Sequence, residues 1–327
     1  MTIQHWSFAL ALAALPLGTG AAMAQDNYPT RNVTLVVPYS AGGPTDTVAR
    51  LVAEPMSRAL GQQIIIENIG GASGTIGAGQ VARAEADGYT LMLHTSAQAT
   101  NDLFYTKLAY GSREAFQPIG VVSHTPMTLV GRKDLPPETA AEALDYIRTN
   151  GEDVAFGNAG VGGPSYLCGL LLENRLETPM IMVPYGGTGP ALTDLLGGQI
   201  DLICEQATNT ISHIRSGAVK AYATTSAERL PSLPDLPTLA ESGLEGFETT
   251  VWLGLYGPAE MPQPVIDTVV AALQEALQDP LVTERFADLA TTPATAAEAT
   301  PEGLQATQEA EVAKWQDLIA ATGIKVD

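Results

Sequence analysis

Basic side chains are scarce in this chain. Its 327 residues hold 16 Lys and Arg against 36 Asp and Glu, a formal charge of −20. A nucleic-acid partner needs a basic face to neutralise phosphates, and an anionic membrane surface needs a polybasic one, so both are excluded. The acidic excess reads as solubility. Cysteine is scarcer still: Cys168 and Cys204 are the only two, and their spacing fits no zinc pattern. In an oxidising compartment such a pair permits one disulfide, and two buried thiols fit the count equally. No GxxxxGK[ST] phosphate loop occurs, and "GASG" and "GGPSY" both miss the GxSxG spacing of a nucleophile elbow. "GAGQVA" (77–82) matches GxGxxA, but it sits inside a helical pattern well past its strand and is accidental.

Long apolar runs are confined to the start. "FALALAALPLGTG" (8–20) is too short to span a bilayer, and "AMA" (22–24) offers a small-x-small cleavage site before Gln25. Residues 1–24 therefore read as a secretory signal peptide, although "MTIQHWS" carries no Lys or Arg. The expectation is a soluble exported protein, cleaved near Ala24–Gln25, that keeps the whole −20.

What remains is a globular composition, 45% hydrophobic and 16% charged, in a chain long enough for two domains. "VTLVVPY" (33–39) is β-rich and is followed by a helical apolar pattern through Leu60 that Thr45 or Asp46 can cap and Gly61 stops. "QIIIEN", "GYTLMLHTS", "PMTLVGRKD", "DVAFGNAG", "PMIMVPY" and "IDLICEQ" follow as strands, most of them separated by helical patterns. "VKAYATTS" and "TVWLGLYGP" are further strands, and a last helix runs from Thr300 to Gly323. This alternation predicts an α/β protein of two lobes, each a mostly parallel sheet flanked by helices, with a cleft between them.

Glycine-rich strand-to-helix loops are the natural lining of such a cleft. They fall at 39–46, 70–77, 158–165 and 185–189, and they contain no Lys or Arg. Instead they offer glycines such as Gly43 and the hydroxyls of Ser40, Thr45, Ser73, Thr75, Ser165 and Thr188. A helix N-terminus presents unpaired N–H groups and a positive dipole end, so it holds an anion without a basic side chain. Tyr39, Tyr166 and Tyr185 lie in these loops and are candidates for walling a ligand; Trp252, Trp315 and the tyrosines at 28, 105, 110 and 222 read as packing. Of the three histidines after residue 24, His94 ends a strand near the cleft and either contacts ligand or packs. Asp46 reads as a cap or as a general base. Asp201 and Glu205 are either solvated or serve an amine or a metal. No metal or cofactor is called.

The ordered motifs resemble the periplasmic solute-binding proteins of tripartite tricarboxylate transporters, the Bug or TctC-like family. The resemblance runs from "YPTRNVTLVVPYSAGGPTDTVARLVAEPM" through "VPYGGTGPALTDLLGGQIDLICEQ" to "VWLGLYGPAEMP" and the "TPEG…KW…G" tail. It implies a type II periplasmic-binding-protein fold, with lobe 1 at 25–123 plus 253–327 and lobe 2 at 124–252. It also implies a monomer without enzymatic activity that delivers a small organic carboxylate to TctA- and TctB-like membrane subunits. A ligand-presenting adaptor for a sensor, or a periplasmic enzyme acting on a carboxylate, is the alternative. Carried over by motif position, the ligand contacts are Tyr39, Ser40, Thr45, Asp46, Ser73, Gly74, His94 and Ser96 from the first lobe. From the second come Asn158, Gly163, Ser165, Tyr185, Gly186, Glu205 and Gln206. Tyr166 stands where many members carry histidine. The resemblance also places Cys168 and Cys204 in one lobe, which implies a disulfide between them.

Overall fold

The computed structural model describes residues 28–111 and 113–327; the expected signal peptide lies outside them. The chain opens as a βαβαβ unit: β1 (Val33–Val37), α1 (Pro44–Leu60), β2 (Ile64–Asn68), α2 (Thr75–Val81) and β3 (Thr90–Thr95), with α3 (Ala97–Phe104) behind it. β4 (Phe116–Gly131) leads to α4 (Ala140–Asn150), β5 (Ala155–Asn158), α5 (Pro164–Leu176), β6 (Ile181–Pro184) and α6 (Thr188–Leu196). Then come β7 (Leu202–Gln206), α7 (Ala207–Arg215) and β8 (Lys220–Thr224). β9 (Thr250–Pro258) is followed by α8 (Gln263–Gln278), α9 (Pro280–Asp288), β10 (Thr292–Pro293) and α10 (Pro301–Thr322).

The strands form a continuous path, β2-β1-β3-β9-β4-β7-β5-β6, with β8 and β10 also pairing with β4. β2, β1 and β3 are mutually parallel, as are β6, β5 and β7. The centre is antiparallel, because β9 and β4 cross between the two parallel groups. β4 does this alone: Phe116–Pro126 pair with β9, and from Met127 onward the strand pairs with β7 and β8. The predicted strand at 126–134 is thus only the second half of a 16-residue strand. Its first half, "FQPIGVVSHT", carries a proline and a glycine that mask the period-two signal.

Local chemistry sets the helix starts. α1 has Pro44 in its first turn and Gly43, in extended conformation, as its cap, so neither Thr45 nor Asp46 is the cap residue. α5 repeats the device with Gly163 and Pro164. α10 begins as expected, the Thr300 hydroxyl accepting from Gly303 N–H, and ends at a left-handed Gly323. Among the described residues no helix is long and apolar enough to cross a membrane.

Cys168 on α5 and Cys204 on β7 are disulfide-bonded, with Cα atoms 6.2 Å apart, and both are fully buried. The bond fastens the first turns of α5 to the carboxyl end of β7. Closing a loop across 36 residues of sequence is worth about 4 kcal/mol in the chain-entropy account. The double variant Cys168→Ala/Cys204→Ala should therefore lose a few kcal/mol in denaturant unfolding. The unreduced protein, denatured, should show no thiol reactive to alkylation; two reactive thiols would contradict the bond.

Candidate functional site

The carboxyl ends of β1, β3, β5 and β7 meet beside the point where β4 changes partners, the usual ligand position in open α/β sheets. A small, partly open cavity of about 20 Å³, room for one water, lies there. Its wall comprises Tyr39, Ser40, Gly43, Pro44, Thr45, Thr95, Met127, Ala159, Pro164, Ser165, Thr188, Glu205 and Gln206. The N-termini of α1, α5 and α6 open onto it, and Gln206, the residue that precedes α7, brings a fourth. No Lys, Arg or His lines it. Polar recognition inside therefore rests on helix-end amides, hydroxyls, an amide and one carboxyl group.

The first loop is braced from behind. Asp46 accepts from Gly42 N–H (2.9 Å), from Asn68 Nδ2 (3.1 Å) and from the Arg50 guanidinium through both oxygens (3.0 Å each). Burial opposes its charge, but the Arg50 hydrogen bond, the Gly42 amide, Asn68 and the charge of Arg50 outweigh burial and hold it below the ordinary carboxylate range. Asn68 Nδ2 also donates to Tyr39 O (3.2 Å). The Tyr39 hydroxyl is 2.7 Å from Thr95 Oγ1. Asp46 thus braces the loop behind the cavity wall.

His94 is fully buried beneath Tyr39, edge-on to its ring at 5.5 Å. Nδ1 lies 3.1 Å from Thr95 O, so it carries the proton and Nε2 is the lone pair. A Cβ on Gly74 would stand 2.4 Å from that nitrogen, which explains glycine there. Burial pushes His94 down to about 4 against the backbone contacts at Thr95 and Gly74, so it is neutral at ordinary pH. Ser73 adopts φ 53°, costly for a residue with Cβ, and its Oγ is buried without a partner 3.2 Å from where a Gly163 Cβ would lie. Ser73 therefore lines the seam between the first and second halves, whereas Gly74 packs against His94 and Pro38 within the first.

In the second half, Ser165 Oγ accepts from Ala159 N–H (2.9 Å), leaving its own proton to donate. Asn158 Oδ1 accepts from Gly160 N–H (2.9 Å), and its Nδ2 is buried without a partner. Glu205 is 1% exposed; its Oε1 accepts from Gln206 N–H (2.7 Å) while Oε2 has no hydrogen-bond partner. Burial pushes the Glu205 carboxyl up to about 7, against weaker pulls from Thr188, the Gln206 amide and Asn209.

Of the seventeen expected contacts, Tyr39, Ser40, Gly43, Thr45, Ser165, Glu205 and Gln206 line the cavity and ten do not. Asp46, Ser73, Gly74, His94, Asn158 and Gly163 stand outside its lining in neighbouring segments, and Ser96, Tyr166, Tyr185 and Gly186 stand outside it as well. Tyr166 follows Ser165 by one residue, about 100° around the helix, and so turns outward. Its ring packs edge-to-face on Phe104 at 6.0 Å, in a cluster with Leu167, Leu170, Trp315 and Ile319. The Tyr185 hydroxyl donates to Asp194 Oδ2 (2.7 Å) on α6. Ser96 is buried at the start of α3, whereas its neighbour Thr95 lines the cavity. Gly186 sits on the seam, its carbonyl accepting from Ser40 N–H (3.3 Å). Thr95 and Met127 were not singled out from sequence. Thr95 was one position from the residue chosen, and Met127 is visible only once β4 is known to cross the molecule.

A family model described as "Tripartite tricarboxylate transporter family receptor" matches residues 48–324. A UPF0065 protein of Agrobacterium vitis is 48% identical over 302 residues, 92% of this chain and 87% of its own length. Among solved structures, the periplasmic binding protein BugD superposes with a TM-score of 0.88 at 45% identity, covering 91% of this chain and 99% of BugD. MatC from Rhodopseudomonas palustris with bound malate gives 0.85 at 39% identity, covering 89% and 100%. The fold is the two-lobed one of these periplasmic binding proteins, and the chain belongs to the TctC family of tripartite tricarboxylate transporter receptors.

Proposed function

We propose that this chain is a periplasmic receptor that closes its two lobes over a small organic carboxylate and delivers it to TctA- and TctB-like membrane subunits. The observation that carries this reading is the convergence of four helix N-termini on one small cavity with no basic side chain in its wall. The resemblance to MatC, whose structure holds malate, supports the ligand class. We assign residues 25–123 and 253–327 to one lobe and 124–252 to the other. The change of β4 partners between Pro126 and Met127, opposite Thr250 at the start of β9, supports a hinge at that level.

Closure follows from the seam. Ser40 N–H donates to Gly186 O, and Tyr105 Oη donates to Val161 O (3.0 Å). A carboxylate group needs more room than one water, so loading requires the lobes to part. Gly70 is held to glycine chiefly by closure: a Cβ there would be 2.6 Å from Gly186 O of the other lobe, against a milder 3.1 Å from Ser40 N of its own.

A thermal-shift screen over aliphatic, hydroxy- and aromatic carboxylates, malate and adipate among them, tests the ligand class. At a hundredfold excess over Kd, a true ligand adds about 2.7 kcal/mol and raises the melting temperature by several degrees. Stabilisation by amines or sugars alone would sink the reading. Ser165→Ala should weaken carboxylate binding about tenfold or more, the loss of a hydrogen bond to a charged group. It should also cost about 1 kcal/mol of stability, because Ala159 N–H loses its acceptor. Gly70→Ala should keep its melting temperature to within a degree or two yet lose most of its ligand-induced shift. Wild-type affinity in that variant, by calorimetry, would refute the closure geometry.

A further inference from the structure

The cavity contains an apparent contradiction. A site built for anions has a carboxyl group in its wall, fully buried, with no cation beside it. Oε1 of Glu205 is occupied by the Gln206 amide (2.7 Å), whereas Oε2 meets no donor at hydrogen-bonding geometry, the Thr188 and Asn209 side chains standing near enough only to pull weakly on the group. An unpartnered buried carboxylate is costly, and its charge repels an incoming anion by about 4 kcal/mol at 4 Å even when the surroundings screen well. A neutral carboxyl group reverses both effects, because its O–H is a donor that a ligand oxygen satisfies.

We propose that Glu205 recognises the ligand as a neutral acid, donating from Oε2 to a carboxylate oxygen, so that binding above neutral pH takes up one proton. The step is a proton transfer only: solvent supplies the proton, Glu205 Oε2 holds it, and the ligand oxygen accepts the hydrogen bond without bond cleavage. This rests on the carboxylate-receptor reading above.

The surroundings favour the neutral form. Burial raises the group to about 7 against the weaker pulls of Thr188, the Gln206 amide and Asn209, and an anion alongside raises it further. The only other titratable group in the cavity wall is Tyr39, which burial pushes above its ordinary value. Behind the wall, Asp46 is paired with Arg50 on α1, and His94 on β3 is held neutral. On α6, Asp194 is bonded to Tyr185; on α5, burial raises Glu173. On β4, His124 faces Glu298, and Arg132 pairs with Asp201 just before β7. His213 and Arg215 lie in the last turn of α7, the opposite end from Glu205. Burial, and not any of these charges, governs the group.

Calorimetric titration of the full chain with malate and with adipate tests this, from pH 6 to 9 in two buffers of different ionisation enthalpy. Wild-type affinity should hold up to about pH 7 and then fall by up to about tenfold per pH unit, with close to one proton taken up per ligand at pH 8. Glu205→Gln, whose amide donates permanently, should show no such slope or uptake and should bind about tenfold or more tighter than wild type at pH 9. Affinity in the wild type that is unchanged from pH 6 to 9 overturns the Glu205 assignment and leaves the receptor reading intact. So does a Glu205→Gln variant that folds yet binds more weakly than wild type at every pH, which would mark an ionised carboxylate that holds a cationic group. No binding of any screened carboxylate at pH 6 overturns both readings.

Discussion

The organisation of this molecule turns on four helix N-termini that converge on one cavity with no basic side chain in its wall, which on the proposed reading hold an anion. In a water-sized cavity an arginine would have to be stripped of water and then paired, and the desolvation of a buried ion can exceed the attraction it gains. Helix ends avoid that penalty. Their N–H groups are unpaired by construction and already point outward, and each end contributes up to about 2 kcal/mol in a partly buried setting. Four ends together therefore contribute at most about 8 kcal/mol, before the cost of association is subtracted and any hydroxyl is counted. The formal charge of −20 does not defeat this, because charges beyond about 8 Å are screened at physiological ionic strength while the helix ends act at contact.

That arrangement requires the helix ends to be held still, which explains most of the conspicuous contacts nearby. Asp46 gathers Gly42, Arg50 and Asn68, so its charge is spent on bracing the first loop and not on chemistry. The Cys168–Cys204 bond joins the helix that starts near Ser165 to the strand that ends at Glu205 and Gln206. Tyr39, Thr95 and the neutral His94 form a stacked, hydrogen-bonded support under the wall. Each links two elements whose relative position the cavity needs.

Much of this was legible in the sequence, and the boundary of legibility has a physical cause. Strand-then-glycine-then-helix patterns located β1, β2, β5 and β6 and their loops, and an apolar run located β7, because turn chemistry and apolar periodicity are local. Ser40, Thr45, Ser165, Glu205 and Gln206 were found that way or by family resemblance, and the structure gathers them around one cavity. The capping of α1 was misread because Pro44 sits in the first turn and moves the cap to Gly43, two residues earlier than the threonine suggests. α3, α7, α8 and α9 were not read at all, nor was the crossing of β4, whose pairing with β9 spans more than a hundred residues of sequence. Tyr166 was read as a ligand wall because it adjoins Ser165. Which way a side chain points one step along a helix depends on α3 and α10, which no local pattern foretells.

The placement of Tyr166 has a consequence for the open–closed balance. On the proposed lobe assignment, Tyr166, Leu167 and Leu170 belong to one lobe, and Phe104, Trp315 and Ile319 to the other. This buried apolar contact is separate from the cavity, so it stabilises closure whether or not ligand is bound. Full burial of a large apolar side chain is worth about 1.5–3 kcal/mol, so one or two such residues suffice to shift a two-state balance severalfold to a hundredfold. Apparent affinity scales with the population of the competent state. On the proposed lobes and site, a tyrosine at this position would tune how tightly the receptor holds its ligand without touching it, while the groups around Glu205 would select the ligand.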